Sequence, residues 1–208
     1  YFELVYDYYK DLRALGLSID ILPPNQGDLS GYKVVLMPGP MNIGDELSRA
    51  IKQFDGVLIS GPRTGSKTLD MAIPEKLPPL IPGINGTVAR VESLRPNITI
   101  SIKELGNFKK WMETLVDSDN VIQFCDDGRP AIIGNENNFY ITGWADQETL
   151  KNIFSGVCDS QDISFTELND CVRTRETSSY RFWFNFSEEE ATIGSIKIPA
   201  SGVIWEAI

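Results

Sequence analysis

Histidine is absent from all 208 residues, and that absence excludes more chemistry than any motif supplies. Without an imidazole there is no Ser-His-Asp or Cys-His nucleophilic system, no histidine metal ligand and no histidine general base. Cys125 follows a strand-like segment, where an α/β nucleophile could stand, and an amidotransferase-like enzyme built on it is one reading. Its neighbours Phe124 and Asp126 do not supply the flanking glycines of a nucleophile elbow, and nothing activates the thiol. A structural cysteine is the expectation. Cys125, Cys158 and Cys171 are odd in number and lack metal-ligand spacing. They read as reduced thiols of a cytoplasmic protein that uses neither metal nor cofactor.

Gly61-Pro62-Arg63-Thr64-Gly65-Ser66-Lys67-Thr68 nearly spells a phosphate-binding loop. Ser66 stands where a glycine must precede the lysine, and the following Leu69 to Pro74 offers no helix to hold a phosphate, so a structural or interface loop is expected. Carboxylates are plentiful, but Asp126-Asp127 and Glu188-Glu189-Glu190 occupy turn and surface contexts and are read as solvated. Trp111, Trp144, Trp183 and Trp205 could stack on sugar rings, which is the basis of an alternative reading as a carbohydrate-binding module. Core or interface positions are the commoner use of such residues. Asn85, Asn97 and Asn185 each open a glycosylation triplet of a kind that arises often by chance.

The elements that would position these residues follow from periodicity. Phe2, Val5, Tyr8, Leu12 and Leu15 lie close to a 3.6 period, with Gly16 as C-cap. Leu17 to Ile21 alternates like a strand, Lys33 to Met37 and Gly56 to Ser60 are short apolar runs of the buried-strand type, and Asp45 to Phe54 is helical. This order predicts a parallel sheet with helices on its faces. Proline at 74, 78, 79 and 82 makes 61–86 a long loop. Further strands are expected at Val88 to Val91, Ile98 to Ile102, Val121 to Phe124, Ala131 to Ile133 and Phe139 to Thr142. Asp126-Asp127-Gly128-Arg129 is read as a hairpin turn, and Asp146 to Val157 as a helix capped by Asp146. Beyond a boundary near Asp159, Cys171 to Arg175, Tyr180 to Phe186, Ile193 to Ile198 and Val203 to Trp205 read as a small antiparallel sheet. Phe182, Phe184 and Phe186 share one face and Trp183 lies on the other, so cover on both sides is expected. So thin a core should lean on a neighbour.

A net charge of −10 argues against nucleic acid and anionic membranes as partners, and no apolar run approaches a membrane span. The chain opens within a helical pattern, Tyr1-Phe2-Glu3-Leu4, without an initiator Met, and is expected to be a piece of something longer.

Several segments together resemble the β-galactosidases of glycoside hydrolase family 42. They are Tyr8-Tyr9-Lys10-Asp11-Leu12 with Leu15-Gly16, Asp20 to Pro24, Leu29 to Val35, Ser60 to Lys67, Val91 to Pro96, Tyr140 to Gly143, and Phe184 to Ser187. Each is weak alone; their order and spacing carry the match. The resemblance implies a three-part bacterial enzyme whose N-terminal (β/α)8 barrel, absent from this chain, carries the catalytic glutamates. It further implies that 1–159 is a flavodoxin-like, glutamine-amidotransferase-like α/β domain without amidotransferase chemistry, which assembles a homotrimer. Residues 160–208 would form a small C-terminal β domain. No residue here would be catalytic, and Arg63, Thr64, Lys67 and Arg95 become the candidate interface loop.

Overall fold

The computed structural model describes residues 1–208. The chain divides into two compact units, one of Tyr1–Val5 with Leu22–Asn152 and one of Tyr6–Ile21 with Ile153–Ile208. Helix α1 spans Phe2–Ala14.

In the first unit, β1 (Val34–Met37), α2 (Asp45–Gln53) and β2 (Val57–Ser60) come first. Next are β3 (Thr87–Ser93), β4 (Thr99–Ile102) and β5 (Gly106–Val116). They are followed by β6 (Val121–Phe124), β7 (Pro130–Gly134), β8 (Asn138–Ile141) and β9 (Gly143–Ala145). One sheet runs β1-β2-β8-β7-β6; a second runs β3-β5-β4, with β9 also on β5. The first is parallel only across β1, β2 and β8, while β7 and β6 are antiparallel. The expected parallel pairing thus holds for β1, β2 and β8, and the antiparallel remainder, foreshadowed by the 126–129 hairpin turn, follows from the links. The 125–129 turn and the 135–137 turn are too short for a crossover, so they can join only antiparallel neighbours.

Leu47, Ala50 and Ile51 form the buried stripe of α2 and join Leu29, Val35, Met37, Leu58, Ile133 and Tyr140 in the core. Asp45 and Glu46 in its first turn and Lys52 in its last complement the helix dipole. The eleven-residue β5 was not legible from pattern, since Lys109, Lys110 and Glu113 interrupt its apolar alternation. It carries an irregularity between Phe108 and Met112, with Lys110 at φ +61°. Such a bulge turns the following side chains to a new direction.

In the second unit α1 ends in a Schellman motif. Gly16 at φ +70° donates to the Arg13 carbonyl at 3.2 Å and Leu17 to the Leu12 carbonyl at 3.3 Å. Helix α3 spans Gln147–Ser160, and Tyr8 meets its Phe154 edge-on at 5.7 Å. Strands β10 (Val172–Glu176), β11 (Tyr180–Asn185) and β14 (Val203–Ala207) form an antiparallel sheet. Strands β12 (Ala191–Ile193) and β13 (Ile196–Ile198) form a separate hairpin where a single strand was expected; Gly194, at φ +57°, makes the turn.

Residues 17–21 are not a strand. Instead of a ladder they meet β10 through isolated bonds, Arg175 to the Ile19 carbonyl and the Glu176 N–H to Ser18 Oγ. The thin β core does lean on a neighbour, residues 6–21 of its own unit. There Leu168 and Thr166 donate to the Ala14 and Leu15 carbonyls, and Arg13 reaches the Thr174 carbonyl. Trp183 packs with Val172, Ala191 and Ile198. The opposite face is not covered as expected: Phe182, Phe184 and Phe186 stack on one another at 6.3 and 6.5 Å and Phe186 and Trp205 are largely exposed.

Candidate functional site

The turn leaving β2 is the most constrained part of the first unit. Gly61-Pro62-Arg63-Thr64-Gly65 has the Gly-x-x-x-Gly spacing of a nucleophile elbow, and Arg63, its central residue, sits at φ +69°. Thr64 is fully buried, and its hydroxyl donates towards the Met37 carbonyl at 3.0 Å and the Gly61 carbonyl at 2.8 Å. Gly65 N–H reaches the Pro40 carbonyl at 2.9 Å and Lys67 N–H the Met41 carbonyl at 2.8 Å. Gly65 itself is at φ +65°, and a Cβ there would stand 3.0 Å from the Leu80 backbone, so any side chain would be both strained and crowded. Sequence reasoning looked for an elbow at Cys125 and missed this one, although its two glycines were in plain view. A guanidinium at the nucleophile position cannot attack a carbonyl, and no helix follows to supply an anion site.

Beneath the turn lies Glu113, a buried carboxylate contributed by β5. Oε1 accepts the Arg63 backbone N–H at 3.0 Å and the Trp111 indole N–H at 3.5 Å, and Oε2 accepts the Tyr140 hydroxyl. Burial pushes the carboxyl above its ordinary range, and the bonds from Tyr140, Trp111 and Arg63 offset this only in part. Its evident task is to hold Arg63 in its strained conformation. The Arg63 guanidinium lies 5.4 Å from the centre of Trp111, and the Lys110 ammonium 4.7 Å from the centre of Trp144. Leu4, Met41, Pro62 and the two tryptophans, with Arg63, line a mainly apolar hollow of about 70 Å³.

The predicted site residues are thus divided. Arg63, Thr64 and Lys67 share one turn, whereas Arg95 is exposed on the separate turn after β3. The proline-rich stretch that follows the elbow presents an unforeseen feature: Leu69, Met71, Ile73 and Leu77 are all exposed, Leu69 and Ile73 at 71% and 70%. Cys125 is fully buried and its thiol is pushed up to about 12, first by burial and then by Asp127, which suits a structural residue. Trp183 is buried, and Trp111 and Trp144 each have a cation against the ring, which leaves Trp205 as the one openly exposed indole. Asn185 is buried too. Its amide donates to the Glu189, Ile198 and Pro199 carbonyls and accepts from Ser187, so this glycosylation triplet is a structural bracket.

The elbow of this α/β domain carries no nucleophile, and the loop that follows it presents exposed apolar side chains. The β-galactosidase trimerisation domain family matches residues 1–164, and this chain belongs to it. The β-galactosidase of Thermus thermophilus is 30% identical over 213 residues, covering 97% of this chain and 31% of that protein. The crystal structure of the β-galactosidase from the psychrophilic Marinomonas ef1 superposes with a TM-score of 0.89 at 31% identity, over 99% of this chain and 33% of that one. A GH42 β-galactosidase of G. stearothermophilus shares the fold, with a TM-score of 0.82 at 16% identity, over 99% of this chain and 36% of that one. The chain therefore spans about a third of the length of its relatives. No helix is long and apolar enough to cross a membrane.

Proposed function

We propose that this chain is the self-association part of a bacterial, cytoplasmic β-galactosidase, that it joins three copies of the enzyme, and that it catalyses nothing itself. Hydrolysis of terminal β-D-galactosides would belong to an N-terminal barrel outside these residues, in keeping with relatives about three times as long. On this reading the β1-β2-β8 core and the disarmed elbow are what remains of a glutamine-amidotransferase-like sheet. The division into a trimerisation domain, 1–159, and a C-terminal β domain, 160–208, is part of the same proposal; the family match over 1–164 supports it.

The observation that carries the proposal is the run of exposed Leu69, Met71, Ile73 and Leu77, the first two of which ride on the hydrogen-bonded 68–72 turn. Contiguous exposed apolar side chains mark association surfaces. Arg63 and Lys67 supply the polar part of that surface, Thr64 supports it from below, and Arg95, on its separate turn, would serve a second contact. Assay of the pure chain with a chromogenic galactoside tests the non-catalytic half of the proposal. No turnover is expected, and turnover above that of a boiled control would overturn it.

A further inference from the structure

A closed ring of three identical copies cannot be built from one self-complementary patch. It needs two different patches, one meeting the other on the next copy. The first unit carries a matched pair. Residues 68–72 form a tight turn: the Met71 N–H reaches the Thr68 carbonyl at 2.9 Å, the Thr68 N–H the Ala72 carbonyl at 3.0 Å, and the Ala72 N–H Thr68 Oγ1 at 3.1 Å. Leu69 and Asp70 occupy its two central positions, both exposed. The other member is the hollow lined by Trp111, Trp144, Leu4 and Met41. At about 70 Å³ it is smaller than the roughly 150 Å³ cavity that accepts a benzene ring, so it favours a compact aliphatic side chain.

Charge makes the pairing directional. The chain carries a net −10, so copies repel one another in general and a contact needs local cations. The hollow provides Arg63, which lies against one of its tryptophans. The tip provides an isobutyl group with a carboxylate beside it.

We propose, on the trimer reading above, that the Leu69 tip of each copy inserts into the Trp111–Trp144 hollow of the next, with the Asp70 carboxylate meeting the neighbour's Arg63 guanidinium. Leu69 and Asp70 are exposed, so replacing them leaves the fold intact. Sedimentation velocity across a concentration series reads the association midpoint. L69A is expected to raise that midpoint by about tenfold or more, given the value of burying one leucine side chain at each contact. D70R and R63D should each weaken association similarly, and the D70R/R63D double substitution should restore most of it, because the charges are exchanged and the pair remains.

Wild-type trimers with an unchanged midpoint in L69A and D70R would refute this pairing while sparing the trimer reading. A double substitution no better than the weaker single would refute it as well. A wild-type chain that stays monomeric at every concentration would defeat both.

Discussion

Replacing Glu113 by alanine tests whether a buried carboxylate holds the elbow. The substitution strands the Arg63 N–H and the Tyr140 hydroxyl, both directed at it; the Trp111 bond, at 3.5 Å, is too long to add much. Each buried donor left without an acceptor costs about 1–3 kcal/mol, giving about 2–6 kcal/mol in all. The native carboxylate itself carries a desolvation penalty at neutral pH, and its removal offsets about 1–2 kcal/mol of this, leaving a net loss of about 1–4 kcal/mol. That is a large share of the roughly 5–15 kcal/mol that holds a typical domain together.

E113Q separates charge from shape. Its amide oxygen still accepts from Arg63, and its NH2 can donate to the Tyr140 oxygen, so a loss of only about 1 kcal/mol is expected. The sign of the pH effect follows from the raised carboxyl value. Between the ordinary 4.5 and the higher folded value the native state binds more protons than the unfolded chain. Wild-type stability relative to E113Q is therefore greatest below pH 4.5 and is lost as pH rises through the folded value. Urea unfolding followed by tryptophan fluorescence at several pH values measures both effects, and subtracting E113Q removes the other carboxyls. An E113A loss below about 0.5 kcal/mol, or a flat difference between wild type and E113Q across that window, would refute the reasoning.

Other expectations concern single groups. Ser60 Oγ is fully buried at the end of β2 with no hydrogen-bond partner, so S60A should leave the unfolding free energy from urea titration unchanged or raise it by up to about 1 kcal/mol. Cys171 is exposed, whereas Cys125 and Cys158 are buried with raised thiol values. A thiol titration of the native protein should find one fast group and two that appear only in denaturant. N185A removes the bracket joining β11 to three carbonyls and Ser187, and should cost about 2–4 kcal/mol by calorimetry or urea titration.

Much of the fold was legible where local rules sufficed. Asp146 caps α3 as its sequence context suggested, with Thr149 N–H on Oδ1 at 2.9 Å. Burial pushes its carboxyl up, yet the bonds from Thr149 and Asn107 hold it below the ordinary range. The Asp126–Arg129 hairpin and the stripe of α2 were equally plain, because turn chemistry and amphipathic period are properties of a few adjacent residues. What escaped depends on distant partners. In β5 the lysines and Glu113 hide a central strand, and only the donors from Arg63, Trp111 and Tyr140 explain why a carboxylate belongs there. Residues 17–21 have the alternation of a strand but find no ladder. The elbow was visible as two glycines with three residues between them, yet its meaning required the positive φ of Arg63. Exposure of Leu69, Met71, Ile73 and Leu77 could not be read at all, since an apolar loop residue is as easily buried as presented.

The solution mass of the unmodified chain, measured by light scattering over a wide concentration range, tests the central claim most directly. The account predicts a species of three times the 23.2 kDa chain mass, which dissociates on dilution. A mass of 23.2 kDa at every concentration would contradict it.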